Sequence, residues 1–204
     1  MADLVLFTAP TLYPISLDEL KLHLRIETEV VEDFTEDALL DAIRFAAISH
    51  VEDVTRRKLL TQTWDMYLDG FPNGKYIKIP FGNLQSITHV KYTDSDGAQT
   101  TMAVTTEYLV ETNGEQCGRV VLPYGESWPS FTAYTSHPVV VRFVCGWTTA
   151  ALVPSQIKMA IRMVGADLYS NRESSILMSF FGQQYFQNPT VNNLLANYRL
   201  WDNF

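Results

Sequence analysis

The sequence is poor in the residue types that metal sites, disulfide frameworks and membrane spans require. Its 204 residues include two cysteines, Cys117 and Cys145, and four histidines that lie far apart without zinc-ligand spacing. No run approaches the roughly 18 apolar residues of a membrane span, and the N-terminus lacks the basic and apolar regions of a secretory signal. We therefore expect no metal, no disulfide, no membrane contact, and synthesis in a reducing cytoplasm.

Motifs of catalysis and phosphate binding are also missing. There is no GxGxxG or Walker A pattern, and the stretch at residues 125–129 lacks the second glycine of a nucleophile elbow. His50 falls on the apolar stripe of a predicted helix, where we interpret it as a hydrogen-bonded residue at the core edge. The sequence predicts no catalytic residue and no cofactor. An enzyme or small-ligand-binding protein whose residues converge only on folding is the least favoured alternative.

Positive charge is scarce, and the negative charge is concentrated at one end. The net charge is −8. Residues 1–54 contain twelve acidic and three basic residues, whereas residues 55–204 contain eleven acidic and twelve basic ones. A protein that grips nucleic-acid phosphates over a broad face normally has the opposite sign. With 47% hydrophobic and 12% aromatic residues, the chain is nevertheless long enough to bury a sizeable core.

Helical patterns occupy both ends of the chain. Ser16 and Glu19 form a predicted capping box before a short helix. A helix of about residues 36–58 follows, with a buried stripe predicted at Leu39, Ile43, Ala46, Ala47, His50 and Val54. Arg56, Arg57 and Lys58 are interpreted as charges that complement the dipole at its C-terminus. A further helix is predicted at about residues 155–172, with an apolar stripe at Ile157, Ala160, Ile161, Val164 and Leu168.

Between the helices the hydrophobic period changes to that of strands. Residues 62–68 alternate, with Trp64, Met66 and Leu68 on one face, and six or seven short strands with regular turns follow, including a hairpin turn at residues 94–97. We predict an α+β fold: a helical part (1–60), an inserted antiparallel β sandwich or barrel-like module (61–150), a helix packing on the first helices (151–173), and a C-terminal assembly tail (174–204).

The tail departs most from an ordinary globular domain. Its 31 residues contain seven aromatic side chains but only one Asp, one Arg and no Glu, and they show little periodicity apart from a short helical pattern at about residues 191–198. Protein interfaces favour aromatic residues and are depleted of charge at their centre. The tail is therefore interpreted as binding a partner or a neighbouring subunit, with packing on its own core as the alternative.

Several segments, in this order, resemble the head–tail connector (adaptor) proteins of tailed bacteriophages and related gene-transfer particles. They span about residues 14–175. The matching stretches are PISLDELKxHLR (14–25), residues 42–55, LLTQTW (59–64), LDGFP (68–72), SITxVKY (86–92), DG (96–97), GRV (118–120), VPxxIKxAI (153–161) and YxNRE (169–173). No single stretch is diagnostic, but the series together is specific.

The resemblance implies a structural virion protein without enzymatic turnover. Such connectors form a ring, usually of twelve subunits, beneath the portal protein in the neck at the head–tail junction. The ring extends the channel through which double-stranded DNA passes without specific binding, and it provides a platform for stopper or tail-completion proteins. The alternative within the same class is another virion component, of the tail-completion or baseplate type.

Two sets of candidate site residues follow. The first would contact the portal or a neighbouring subunit: Asn171, Arg172, Phe180, Phe181, Tyr185, Phe186, Tyr198, Trp201 and Phe204. The second would line the channel as acids that keep DNA moving: Glu27, Glu29, Glu32, Asp33, Glu36, Asp37 and Asp41. A repulsive or neutral wall lets a duplex slide, whereas a basic one would bind it.

Overall fold

In a computed structural model, described for residues 2–26, 34–171 and 189–200, the chain divides into a helical unit and a β unit. The β unit comprises described residues 2–12, 57–149 and 200, and the helical unit comprises residues 13–26, 34–56, 150–171 and 189–199. The helices are α1 (Leu17–Leu24), α2 (Phe34–Thr55), α3 (Ser155–Ser170) and α4 (Pro189–Leu195). The strands are β1 (Ala2–Thr8), β2 (Gln62–Leu68), β3 (Tyr76–Gly82), β4 (Leu84–Thr93), β5 (Gln99–Thr101), β6 (Leu109–Glu111), β7 (Cys117–Val121) and β8 (Val139–Cys145).

The strands form two antiparallel sheets. The larger has the order β1-β2-β8-β4-β5, and the smaller has the order β3-β7-β6. Side chains from both sheets form one core, which includes Met66 of β2, Ile79 of β3, Val120 of β7 and Phe143 of β8. The helices together with two antiparallel sheets confirm the predicted mixture of α and β structure. Neither sheet closes into a barrel within the described residues, so the barrel-like alternative is wrong.

Strand β2 has the bounds and faces that the alternation predicts. Met66 is buried in the core, and Trp64 and Leu68 pack against the same core. The opposite face of β2 is less conventional, because Asp65 is also buried there. The strand therefore joins an apolar core on one side to a polar contact on the other.

The first residues differ from the sequence prediction. Residues 2–8, which were expected to lie in the helical part, form β1, which pairs antiparallel with β2 from Ala2 opposite Leu68 onward. The run Leu4-Val5-Leu6-Phe7 does not alternate, so it has no strand signature. Its conformation depends instead on a partner strand about 60 residues away, which local patterns do not reveal.

The short helix α1 begins as predicted. Ser16 Oγ accepts a hydrogen bond from the Glu19 backbone N–H at 3.0 Å, and Glu19 Oε2 accepts one from the Ser16 N–H at 2.8 Å. This reciprocal capping box satisfies two backbone donors that a helix N-terminus leaves without partners.

The long helix α2 buries a stripe that coincides with the predicted one only at Ile43 and Ala47. Leu40, Ile43, Ala47 and Val51 are buried, whereas the predicted members Leu39, Ala46 and His50 are exposed. Apolar residues occur on several sides of this helix, so their spacing fixes its period but not which side faces the core. The interpretation of His50 as a core-edge residue is wrong for the same reason.

The basic residues after α2 do not cap it. The helix ends at Thr55, and Arg56 adopts a left-handed backbone conformation with φ of 56°. Arg57 is buried in the β unit, where its guanidinium donates to the Glu115 carbonyl, and Lys58 Nζ lies 5.3 Å from the Trp64 ring centroid. These charges thus stabilise the β unit rather than the helix dipole, since tertiary acceptors compete successfully for them.

The C-terminal helices belong to the helical unit. α3 packs against α1 and α2 and buries Ile157, Ala160 and Ile161 as predicted. Of the other two members of the predicted stripe, Val164 is half-buried and Leu168 is exposed. α4 packs against α3, with Val191 and Leu195 buried. The described part of the predicted assembly tail, residues 189–200, therefore includes side chains of the chain's own core.

A tight junction joins the end of β8 to the start of β2. Gly146 has a φ of +101°, its N–H donates to the Asn83 carbonyl, and the next residue, Trp147, exchanges backbone hydrogen bonds with Leu59 and Thr61. A Cβ at position 146 would meet the backbone of Leu60. Both the dihedral angle and the close approach favour glycine here.

We predict that Gly146→Ala lowers the free energy of unfolding by about 1–3 kcal/mol, the usual cost of a strained backbone conformation. Urea denaturation monitored by tryptophan fluorescence would measure it. Gly74→Ala is the matched control, because nothing lies within 4 Å of its would-be Cβ, and it should change stability by less than about 0.5 kcal/mol. Equal effects of the two substitutions would contradict this account of Gly146.

Candidate assembly surfaces

Strand β1 presents an apolar surface at the edge of the larger sheet. All seven residues are exposed, including Leu4 at 36%, Val5 at 51%, Leu6 at 44% and Phe7 at 57%. Leu4 lies in the same cross-strand row as core residue Met66, whereas Val5 lies opposite Asp65 on the other face. The strand is therefore apolar on both faces, and its outer edge carries backbone donors and acceptors that no strand within residues 2–26, 34–171 and 189–200 pairs.

An ion pair between a half-buried arginine and a buried carboxylate lies beneath β1 on the outer face of the sheet. Arg142 of β8 donates two hydrogen bonds to Asp65 of β2, from Nε to Oδ1 at 2.7 Å and from Nη2 to Oδ2 at 2.8 Å. The Asp65 side chain is 7% exposed. The hydrogen bond with Asp65 raises the pKa of Arg142, so the guanidinium stays charged. Two parallel bonds of this kind are strong and directional.

Phe7 covers this ion pair. The register of β1 on β2 shifts between Leu6 and Thr8, and the ring of Phe7 at this irregularity lies 3.4 Å from the Arg142 guanidinium carbon. A guanidinium over an aromatic face is attracted by the ring's negative potential. The contact therefore holds the end of an otherwise exposed strand against the sheet.

His89 of β4 completes the row beside Arg142. It lies opposite Arg142 across the β4–β8 pair and is partly buried. Burial lowers the pKa of His89 below its ordinary value of 6.5, the positive charges of Lys91 and Arg142 lower it further, and Asp65 acts in the opposite direction. The imidazole is thus neutral at neutral pH. Its protonation would add a third positive charge to those of Lys91 and Arg142.

The predicted channel acids that the structure describes are paired within the helical unit. Asp37 Oδ1 lies 2.6 Å from Lys21 Nζ, Asp41 Oδ1 lies 2.9 Å from Arg44 Nη2, and Glu36 accepts a hydrogen bond from the Tyr169 hydroxyl at 2.9 Å. The other predicted channel acids lie outside the described residues: Glu27, Glu29, Glu32 and Asp33.

Two of the predicted interface residues are described, and both make contacts within the helical unit. Asn171, just after α3, donates from Nδ2 to the Asp167 carbonyl at 3.1 Å, and the Tyr198 hydroxyl donates to Gln156 at 3.1 Å. The remaining seven lie outside the described residues: Arg172, Phe180, Phe181, Tyr185, Phe186, Trp201 and Phe204.

An aromatic cluster that the sequence analysis missed lies on the helical unit. The Arg44 guanidinium carbon is 4.6 Å from the Tyr13 ring centroid and 5.2 Å from that of Phe45, and the two rings meet edge to face at 5.0 Å. Tyr13 is 39% exposed and Phe45 is 41% exposed. An Arg one residue before a Phe on a helix is too common a pattern to have indicated it.

Sites for a metal or a membrane span are not found in the part of the chain that the structure describes. No group of three or more His, Cys, Asp and Glu side chains is placed to hold an ion there. Cys117 and Cys145 are both buried and are not joined by a disulfide. No described helix combines the length and the apolar character needed to cross a bilayer.

Comparison with known proteins identifies the fold. A chain in the "Neck of empty GTA particle computed with C6 symmetry" superposes with a TM-score of 0.80 at 20% identity, over 99% of this chain and 97% of that one. A chain of the "Virion of native gene transfer agent (GTA) particle" gives 0.76 at 21% identity, over 98% and 97%. A chain in the "Neck of native GTA particle computed with C12 symmetry" gives 0.73 at 20% identity, over 100% and 97%.

The sequence matches no protein-family model and no curated protein. At 20–21% identity the structural likeness establishes the fold, which the chain shares over nearly its whole length with these particle proteins. This agrees with the fold that the resemblance to gene-transfer-particle connectors implies.

We predict that Arg142→Met lowers the free energy of unfolding by about 3 kcal/mol, because it leaves the Asp65 carboxylate buried without its partner. The amides of β1 should also exchange faster with deuterium, since Phe7 loses the guanidinium on which it rests. Arg119→Met is the matched control: its ion pair with Glu111 is 42% and 43% exposed, and it should cost less than about 1 kcal/mol. Equal losses would refute the role of the buried pair.

We also predict that the wild-type chain loses stability between about pH 7.5 and pH 5.5, in part through His89. The folded-state pKa of His89 lies below its ordinary value, so the unfolded chain binds the proton more readily in this window and stability falls as the pH falls. His89→Gln should flatten this dependence in urea titrations, whereas His50→Gln, at an exposed position of α2, should not. A wild-type slope retained in His89→Gln would exclude this source.

Proposed function

We propose that this chain is a structural protein of the neck of a phage-like particle, a head–tail connector that forms a ring beneath the portal. The observation that carries the proposal is the superposition on a neck chain with a TM-score of 0.80 over 99% of this chain and 97% of that one. Such two-way coverage leaves little of either chain outside the shared fold. The role is mechanical and involves no enzymatic turnover.

A ring of twelve copies is the assembly that we propose in the particle. Two of the similar chains belong to necks computed with C6 and with C12 symmetry, and a twelve-membered ring is compatible with both. A cyclic ring with more than two members needs two different, complementary surfaces on each subunit. The exposed apolar face of β1 and the Tyr13–Phe45 cluster are candidates for such surfaces, since each exposes aromatic side chains.

The partners in this proposal are the portal protein on one side and a stopper or tail-completion protein on the other. The tail residues Tyr185 and Phe186, together with Trp201 and Phe204, would supply the aromatic, nearly uncharged side chains that such contacts favour. Removing residues 176–204 would be a poor test, because Val191 and Leu195 are buried in the helical unit. Single substitutions outside α4 avoid that problem.

Double-stranded DNA would pass through the ring without specific binding. The net charge of −8 disfavours phosphate binding over a broad surface. Asp37 and Asp41 are partly neutralised by Lys21 and Arg44. Residues 27–33 contain four acids and no base in sequence, so we propose this segment as the main source of net negative charge in the lumen.

Electron microscopy of the purified protein, alone and mixed with its cognate portal, tests the proposal. We expect rings on the portal, with twelvefold symmetry in class averages. Tyr185→Ser combined with Phe186→Ser should reduce co-purification with the portal at least about tenfold. Tyr124→Ser, at a fully exposed position of the β unit, is the matched control and should have no effect.

The absence of rings at any ratio of protein to portal would contradict the connector proposal. Binding to tail tubes instead of the portal would indicate a tail-completion or baseplate-type component. Both outcomes are read directly from the same particles, with the portal alone as the reference.

A further inference from the structure

The four sheet edges of the described strands are protected to different degrees. β5 and β6 have three residues each, β5 is polar (Gln-Thr-Thr), and β6 carries the ion pair of Glu111 with Arg119. β3 contains Lys78 and Pro80, and most of its residues are buried. Short length, charge and proline are the usual means by which sheet edges avoid pairing with other chains.

Strand β1 lacks most of these protections. It has seven residues, no proline and no lysine, and its one charged residue, Asp3, lies near the N-terminal end. Leu4 and Leu6 are exposed on the core side of the sheet, and Val5 is exposed on the other. An apolar edge of this length is a template for an added strand whose own two faces are apolar.

Strand β1 is also already extended and fixed in position before any such pairing. Its inner edge is hydrogen-bonded to β2, and Phe7 rests on the Arg142 guanidinium, which Asp65 fixes with two hydrogen bonds. A strand that is already extended loses little further backbone entropy when a partner pairs with it.

We propose that β1 accepts residues 176–181 of a second copy of this chain as an added strand. This segment reads Ile-Leu-Met-Ser-Phe-Phe and contains no charge, proline or glycine. In an extended conformation, Ile176, Met178 and Phe180 would occupy one face and Leu177 and Phe181 the other. The segment thus supplies apolar side chains next to Leu4 and Leu6 as well as next to Val5.

The length of chain around this segment permits an exchange between subunits. α3 ends at Ser170 and α4 begins at Pro189, so eighteen residues connect them. A loop that runs out and back over half that number reaches roughly 30 Å at about 3.3 Å per residue. Because the segment and β1 are different surfaces, the contact is heterologous and is of the kind that a closed ring requires, whereas β1 pairing with β1 would stop at dimers. The choice of a second copy as donor rests on the proposed ring.

A peptide experiment on the full-length protein tests the docking without requiring a ring. A fluorescent peptide of residues 174–183, extended by two lysines for solubility, should bind the wild-type chain saturably in anisotropy titrations. Val5→Lys in the protein should weaken this binding at least about tenfold, because an inserted lysine blocks edge pairing. Leu109→Lys is the matched control, at 42% exposure on edge strand β6, and should leave affinity within about twofold. A peptide with Met178→Pro should not bind.

Disulfide trapping then identifies the donor. Val5→Cys and Met178→Cys chains with different tags, mixed and oxidised, should give a cross-link between the two tags, whereas Leu109→Cys with Met178→Cys should not. The native thiols are buried and should not interfere. A dominant Val5→Cys homodimer would show β1–β1 pairing and overturn the proposal.

The remaining outcomes are also decisive. Equal peptide binding to the wild type and Val5→Lys would overturn the docking site, as would the lack of binding to any form of the protein. Binding only to full-length Met178→Pro protein would show that the segment covers β1 of its own chain, which contradicts exchange. Portal-bound rings without the cross-link would overturn this inference alone, whereas peptide binding without rings would leave it standing and overturn the connector proposal.

Discussion

The ion pair between Asp65 and Arg142 connects four of the five strands in the larger sheet. Asp65 belongs to β2 and Arg142 to β8, Phe7 of β1 covers the guanidinium, and His89 of β4 lies beside it. The apolar core lies on the opposite face, where Met66 and Phe143 meet the second sheet. A buried charge pair contributes little net stability, but removal of either partner is costly, so the pair specifies which strands lie next to each other.

This arrangement explains how an edge strand can be apolar and still ordered. β1 gains little from the core, because all of its residues are exposed, yet backbone pairing with β2 and the Phe7–Arg142 contact hold it in place. Its free edge is therefore preorganised rather than frayed. A ring-forming protein benefits from such an element, since subunits that meet at ordered surfaces lose less entropy on assembly than those that must fold at the contact.

Local signals in the sequence predicted those elements whose causes are local. The Ser16–Glu19 capping box, the bounds of β2 and the buried residues Ile157 and Ala160 of α3 all follow from short-range spacing. The sequence predictions were wrong where the conformation or burial of a segment depends on a partner far away in the sequence. The strand conformation of β1 depends on β2, and the buried side of α2 depends on α1 and α3. Arg57, which was expected to complement the dipole of α2, donates instead to the carbonyl of Glu115. The ion pair itself joins residues 77 positions apart, so no motif could have revealed it.

Ion pairs within the helical unit compensate part of the negative charge of the first 54 residues. A carboxylate within 3 Å of a cation forms a dipole, whose field falls off faster than that of a net charge and is screened within about 8–10 Å at ordinary salt concentrations. Asp37, Asp41 and Glu19 are paired in this way with Lys21, Arg44 and Arg162. Residues 27–33 hold four acids and no base, so a long-range repulsion of DNA would arise there more than from α2. The paired acids of α1 and α2 therefore contribute to the packing of the helical unit, and a net negative charge in the proposed channel would have to come from other positions.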